Sequence, residues 1–182
     1  MIRSSLFVAG LATSLVALGG CSAPEPTSEK IDALTTKAEK AKAELIEEDA
    51  KVADLFSNAV GYAIFPDVTK GAWGFSGARG IGLVYEGSSP TATSCVGHGG
   101  IGFGLGGGTY KYVLFFNTQE AYDAFYSGKF GFNASATAVA GPHGKSADAD
   151  FFKDVIIISN ENVGLFANAE IGLHGFDTEP ID

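Results

Sequence analysis

The sequence predicts an α+β domain that is mostly antiparallel β: a Gly-rich curved sheet, small barrel or sandwich, with an N-terminal helical segment and one further helix. Three observations carry this expectation. Apolar residues recur at steps of three and four, or seven, between residues 29 and 60. From residue 61 onward, short apolar runs alternate with turn signals. Within that β region several glycines fall on every second residue.

Residues 1–21 read MIRSSLFVAGLATSLVALGGC, with one positive charge at Arg3, an apolar run from Leu6 to Leu18, then small residues. That is the grammar of an export signal, and the run is shorter than the ~20 residues a membrane-spanning helix needs. Its ending, Leu18-Gly19-Gly20-Cys21, resembles the bacterial lipobox, in which small residues admit the peptidase and the Cys thiol receives the lipid. The expectation is a signal peptide over 1–20, acylation at Cys21 and a tether over 21–28, with SAPEPTS as its flexible part. Ser22, a residue other than Asp after the Cys, fits sorting to the periplasmic face of the outer membrane, by resemblance to enterobacterial rules. Several fatty chains, at ~0.8 kcal/mol per buried CH₂, make such an anchor stable unaided. Once Cys21 is modified, Cys95 has no partner in the chain, so Cys95 is read as a small buried core residue.

A single domain is expected over 29–182, helical over 29–60 and mostly β over 61–176. Ile31, Leu34, Ala38, Ala41, Leu45, Val52 and Leu55 form the helical stripe, with a break near Glu47–Asp49. Its polar face mixes Lys with Asp and Glu, whereas a helix built for anionic lipid is rich in cations. Two uses of the stripe stand: packing on the domain, or contact with a membrane or partner. Candidate strands are 62–65, 72–76, 80–85, 95–105, 110–116, 130–140, 154–159 and 164–174. A helix of about ten residues follows the capping signal Asn117-Thr118-Gln119-Glu120 and ends at Gly128. YKYVLFF and DVIIIS are apolar at successive positions, as central strands covered on both faces are. Gly100, Gly102, Gly104 and Gly106 alternate with Ile101, Phe103 and Leu105. Gly80 and Gly82 repeat the arrangement, and Ala134, Ala136, Ala138 and Ala140 give a third small-residue face. Bare faces weaken a strand unless something approaches closely, either another layer of the protein or a flat or acyl-like ligand.

Composition narrows the function. The formal charge is −9, and residues 1–20 hold Arg3 and no acid, so the chain from Cys21 is one unit more negative. Scattered cations on so acidic a chain argue against nucleic acid. Gly102, Gly104 and Gly107 fit GxGxxG, yet a strand follows where a dinucleotide site needs a helix. Gly144-Lys145-Ser146 resembles the end of a phosphate loop, but Val139 stands where its first glycine belongs. His98, His143 and His174 lie on separate segments, so neither a metal site nor a catalytic constellation is legible; no cofactor and no enzymatic activity are expected.

The stretch NAVGYAIFPDVTKGAWGFSGARGIGLVYE (58–86) resembles the opening of the SYLF domain, a family with bacterial lipoproteins and eukaryotic lipid- and actin-binding members. GHGGIGFGLGGGTYKYVLFFNTQEAYDAF, VAGPHGKSADAD and DVIIISNENVGLFANAEIGLHG resemble its later pieces in order, so the likeness covers roughly residues 50–176. The resemblance implies a mostly-β, non-enzymatic domain whose eukaryotic relatives bind phosphoinositides, partly through an N-terminal amphipathic helix, and bundle actin. It also places Lys70 and Arg79 at basic positions suited to a lipid headgroup, or to solvated hairpin charges. The function expected is a membrane-anchored periplasmic lipoprotein with a phospholipid-binding domain, its lipid contacts at Ile31, Leu34, Leu45, Lys70 and Arg79. The alternative is an envelope scaffolding module that binds a protein partner and no small ligand.

Overall fold

The computed structural model describes residues 21–128, 131–138, 154–163 and 169–181. The segment 1–20 expected as a signal peptide, the expected Gly-Pro turn with Gly144-Lys145-Ser146, and His143 lie outside the described residues.

Two helices come first, α1 (Ser28–Glu48) and α2 (Lys51–Asn58), parted where the acidic run was expected to break them. Next come β1 (Gly61–Glu86), β2 (Ser89–Phe116), α3 (Gln119–Tyr126), β3 (Gly131–Ala138), β4 (Val155–Val163) and β5 (Ala169–Pro180). All pairings among them are antiparallel. β2 organises the sheet. It pairs with β1 along one side, and on its other side first with β5 and then, nearer its C-terminus, with β4, while β3 lies outside β5. Among the described residues no pairing joins β3 or β4 back to β1, so the sheet is curved and unclosed, and the barrel alternative is set aside.

Three of the expected strands are one strand here. Residues 62–65, 72–76 and 80–85 belong to β1, and 95–105 and 110–116 both belong to β2. Pro66 marks an irregularity instead of an end, a register shift between Phe65 and Val68, and the glycines between the other expected strands pair without interruption; a further shift, between Trp73 and Phe75, falls inside an expected strand. A bulge inserts a residue, bends the strand and lets it continue. The connection between β1 and β2 is a two-residue turn at Gly87-Ser88, with Gly87 at φ 60°, the sense that suits the twist of a hairpin.

The β1–β2 ribbon is long enough to fold over on itself. Its first limb contributes Ala63, Phe65, Val68, Tyr112, Leu114 and Phe116, and its second Ala78, Val84, Ala92 and Val96, to one core. Tyr122 and Phe125 of α3 close one end of that core. Thr118 caps α3 by accepting from the Ala121 N–H, and Gly128, at φ 68°, follows its last turn. A second core lies on the opposite face. There Ala38, Ala41 and Leu45 of α1 and Val52 and Phe56 of α2 cover Tyr62, Ile64, Leu83, Tyr85, Val113 and Phe115.

YKYVLFF is a central strand, as its composition implies; its residues from Lys111 to Phe116 are buried. DVIIIS is not. β4 has β2 as its one neighbour among the described residues, and Ile156, Ile157 and Ile158 are half-buried. Its apolar face is used by both cores, Ile157 on one side and Ile156 and Ile158 on the other, which explains an edge strand without alternation.

Candidate functional site

Gly80 and Gly82 answer the question their spacing raises; what faces Gly100, Gly102, Gly104 and Gly106 lies outside what is described. A Cβ at Gly80 would lie 2.6 Å from Val68 Cγ2, one at Gly61 would lie 2.6 Å from the Tyr85 carbonyl oxygen, and one at Gly82 would collide with the Ile64 carbonyl oxygen and Phe65. These three glycines are what lets the two limbs of the ribbon cross backbone to backbone. Close packing of the protein on itself accounts for this bare face. By contrast Gly71 and Gly99 have nothing within 4 Å of such a Cβ.

α1 is docked, and its expected contact residues are divided by that docking. Leu45 is 3% exposed, Leu34 packs partly buried against the second core, and Ile31, nearer the helix start, is half-buried. The stripe assigned to lipid therefore serves largely as core, because the aromatic face of Tyr62, Tyr85 and Phe115 needs a cover. Phe56 meets Tyr62 and Phe115 edge-on at 4.9 and 4.8 Å between ring centroids, and Tyr62 stacks on Tyr85 at 4.8 Å. Lys42 Nζ sits 4.5 Å from the centre of the Phe56 ring, and burial lowers its pKa. Burial also pushes the Tyr62 phenol up to about 12.

Polar contacts fix the same helix along its length. Lys37 Nζ pairs with Asp67 at 3.0 Å on the exposed surface. Lys111, 5% exposed near the C-terminal end of β2, reaches Glu44 at 2.9 Å. The hydrogen bond from Lys111 holds the Glu44 carboxyl below its ordinary range. Asn160 of β4 donates to Glu48. A lysine buried in a central strand is costly without a counter-charge, and α1 supplies it. The Lys111–Glu44 contact was not foreseen from the sequence; Lys111 between two tyrosines in an apolar strand was its one visible sign.

The two basic candidates flank the place where β1 crosses itself. Lys70 stands opposite Gly108, half-buried, two residues beyond Val68; Arg79 stands opposite Gly97, exposed, one residue before Gly80.

The segment read as a tether is seated on the sheet. Cys21 is joined to Cys95 as a disulfide, with the Cα atoms 5.7 Å apart. The expectation that Cys95 lacks a partner concerns a chain acylated at Cys21; with Cys21 unmodified, folding carries the N-terminal segment across β2 and supplies one, which sequence separation could not reveal. Cys95 itself is fully buried, as expected. Ala23 N–H donates to an Asp177 carboxylate oxygen at 2.8 Å, and the Thr93 hydroxyl donates to the Pro24 carbonyl at 2.6 Å. A Cβ at Gly97 would lie 3.0 Å from that of Cys21, so the missing side chain makes room for the segment. Beside this seat, Ile81, the partner of Cys95 on β1, is 37% exposed, the one exposed large hydrophobic residue among those described.

Of the three histidines, His98 and His174 are register partners across β2 and β5. No group of three or more potential metal ligands occurs among the described residues. No described helix is long and apolar enough to cross a membrane.

Residues 97–179 match the family model Ysc84, described as Las17-binding protein actin regulator. No curated protein and no solved structure shows a significant match to the chain.

Proposed function

From the premise that this chain carries a domain of the SYLF (Ysc84) family over residues 97–179, we propose that it is a non-catalytic, membrane-tethered binding module of the cell envelope that engages phospholipid. The observation that carries the tether is Leu18-Gly19-Gly20-Cys21 at the end of an apolar, export-type segment. Acylation at Cys21 would hold the domain against a bilayer, in the outer membrane's periplasmic leaflet by the sorting argument from Ser22. There the reachable lipid is the membrane's own, and the actin regulation named in the family's description has no counterpart. Lys70 and Arg79 are the basic side chains offered to headgroups. Ile31, half-buried near the start of α1, is the stripe residue least committed to the core.

The test is flotation of residues 22–182, free of any acyl chain, with zwitterionic and with mixed anionic vesicles at low salt. Co-flotation with either composition, weakened by Lys70→Ala and Arg79→Ala together, is the expected result. No association with either would remove phospholipid binding.

A second reading, an envelope scaffold with a protein partner and no small ligand, is favoured by a specific observation: the glycines at 61, 80 and 82 are filled by the protein's own backbone and rings. Crosslinking in intact membranes that repeatedly captures one envelope protein, with nothing extractable into organic solvent, would favour that reading.

A further inference from the structure

We propose that Cys21 has two mutually exclusive covalent partners, a diacylglyceryl group or Cys95, and that its choice during export fixes whether the N-terminal segment is an anchor or a clasp. The proposal rests on the reading of Cys21 as a lipidation site. One sulfur cannot carry both bonds, yet the sequence marks it for the first and the fold presents it for the second.

The clasp is more than two sulfurs in proximity. The Cα separation of 5.7 Å lies within the normal span of a disulfide, and the backbone on either side is held independently. Asp177 takes the Ala23 N–H, Thr93 donates to Pro24, and Gly97 leaves the space that the Cys21 Cβ occupies. Each partner sits on β2 or on β5 beside it, so the seat is assembled only when those strands pair.

The two reactions consume the same thiol. In the first, the Cys21 sulfur attacks the glyceryl carbon of a phospholipid donor: an S–C bond forms, the C–O bond to the headgroup phosphate breaks, and the thiol proton is balanced by the departing phosphate monoester. No redox change occurs. In the second, a protein disulfide donor of the export compartment is attacked by one thiolate, and the mixed disulfide is resolved by the other: Cys21 and Cys95 lose two electrons and two protons, and the donor is reduced to its dithiol. Cys21 emerges from the membrane 74 residues before Cys95, so acylation has the earlier opportunity and the disulfide forms on chains that escape it.

The structural consequence is specific. Cys95 is fully buried, and the bond to it is what ties Cys21 covalently to β2. Without that bond, and with its sulfur drawn to the bilayer by the fatty chains, the lipidated form lifts residues 21–24 from β2, frees the Asp177 carboxylate and uncovers the Cys95 thiol. The tether suggested by SAPEPTS would exist in that form, and the clasp in the other.

The experiment expresses the full chain in a bacterium that exports and lipidates, extracts it without reductant, and maps peptides by mass, with maleimide labelling before denaturation. The expected result is two populations: one acylated at Cys21 with Cys95 labelled, the other unacylated with the Cys21 and Cys95 peptides linked. In a host lacking its protein disulfide donor, the linked peptide falls to background and the acylated fraction rises; Cys95→Ala gives the acylated form alone. Complete acylation of the native chain in the oxidising host would overturn the competition while leaving lipidation intact. Acylated protein whose Cys95 resists maleimide would overturn the lifting of the segment. Absence of acyl groups in every host, Cys95→Ala included, would instead remove the lipidation reading on which the proposal stands.

Discussion

At the scale of single residues, glycines that look equivalent in the sequence do different work. Gly82 faces the Ile64 carbonyl and the Phe65 ring, whereas Gly99 faces open space. A methyl group at the first position has to displace backbone; at the second it meets nothing and removes some of the unfolded chain's freedom. Gly82→Ala should accordingly destabilise the domain by about 2–3 kcal/mol, and Gly99→Ala should stay within about 0.5 kcal/mol of the native protein. Paired urea melts of the two variants check this, and equal losses would show that the limbs do not cross where described. The alternation of small and large residues was legible in the sequence as a demand for close approach. What approached was not, because that depends on β1 doubling back across itself, and the bulge between Phe65 and Val68 leaves no sequence signal beyond Pro66-Asp67.

At the scale of elements, the helices were readable to within a few residues, while the strands were over-divided, since a turn residue and a bulge residue have the same composition. The more informative surprise is the charge on the inside. Lys111 is alone among the apolar residues of the central strand, and α1 reaches it with Glu44. Helix docking is thereby tied to a carboxylate whose pKa is lowered by its lysine partner. A carboxyl depressed in the folded state lends stability above its unfolded pKa and withdraws it as the pH falls through the folded value. The native domain should lose stability on acidification in the range below the ordinary glutamate pKa, and Glu44→Gln should already be less stable at neutral pH and show a shallower acid decline. Thermal melts of both proteins from neutral pH downward read the difference. Parallel curves would mean that the ion pair contributes nothing to holding α1. A helix held by its apolar seam and this pair together is also the reason Leu34 and Leu45 are poor candidates for membrane contact while the domain is at rest.

At the scale of the whole molecule, the decisive fact is where residues 21–24 lie relative to the sheet. Composition made residues 22–28 a free linker, and nothing local contradicts that; the contacts that seat the segment come from Thr93 and Asp177, which no periodicity links to it. The disulfide closes a sequence separation of 74 residues. On the chain-entropy account, closing a loop of that length restricts the unfolded ensemble by ~4.5 kcal/mol, less whatever structure the reduced chain retains. For a domain of this size each kcal/mol moves the midpoint by a few degrees, so a chain that begins at Cys21, carries no acyl group and has been oxidised should melt about 10 °C above the same chain reduced. The shift should vanish in Cys95→Ser and be insensitive to salt, since it acts on the unfolded chain and not on surface charge. Calorimetry with and without reductant measures it directly. A midpoint unmoved by reduction would place the stabilisation of the N-terminal segment in its hydrogen bonds alone, and a lipidated form that lifts residues 21–24 from β2 would forfeit that part and no cross-link contribution.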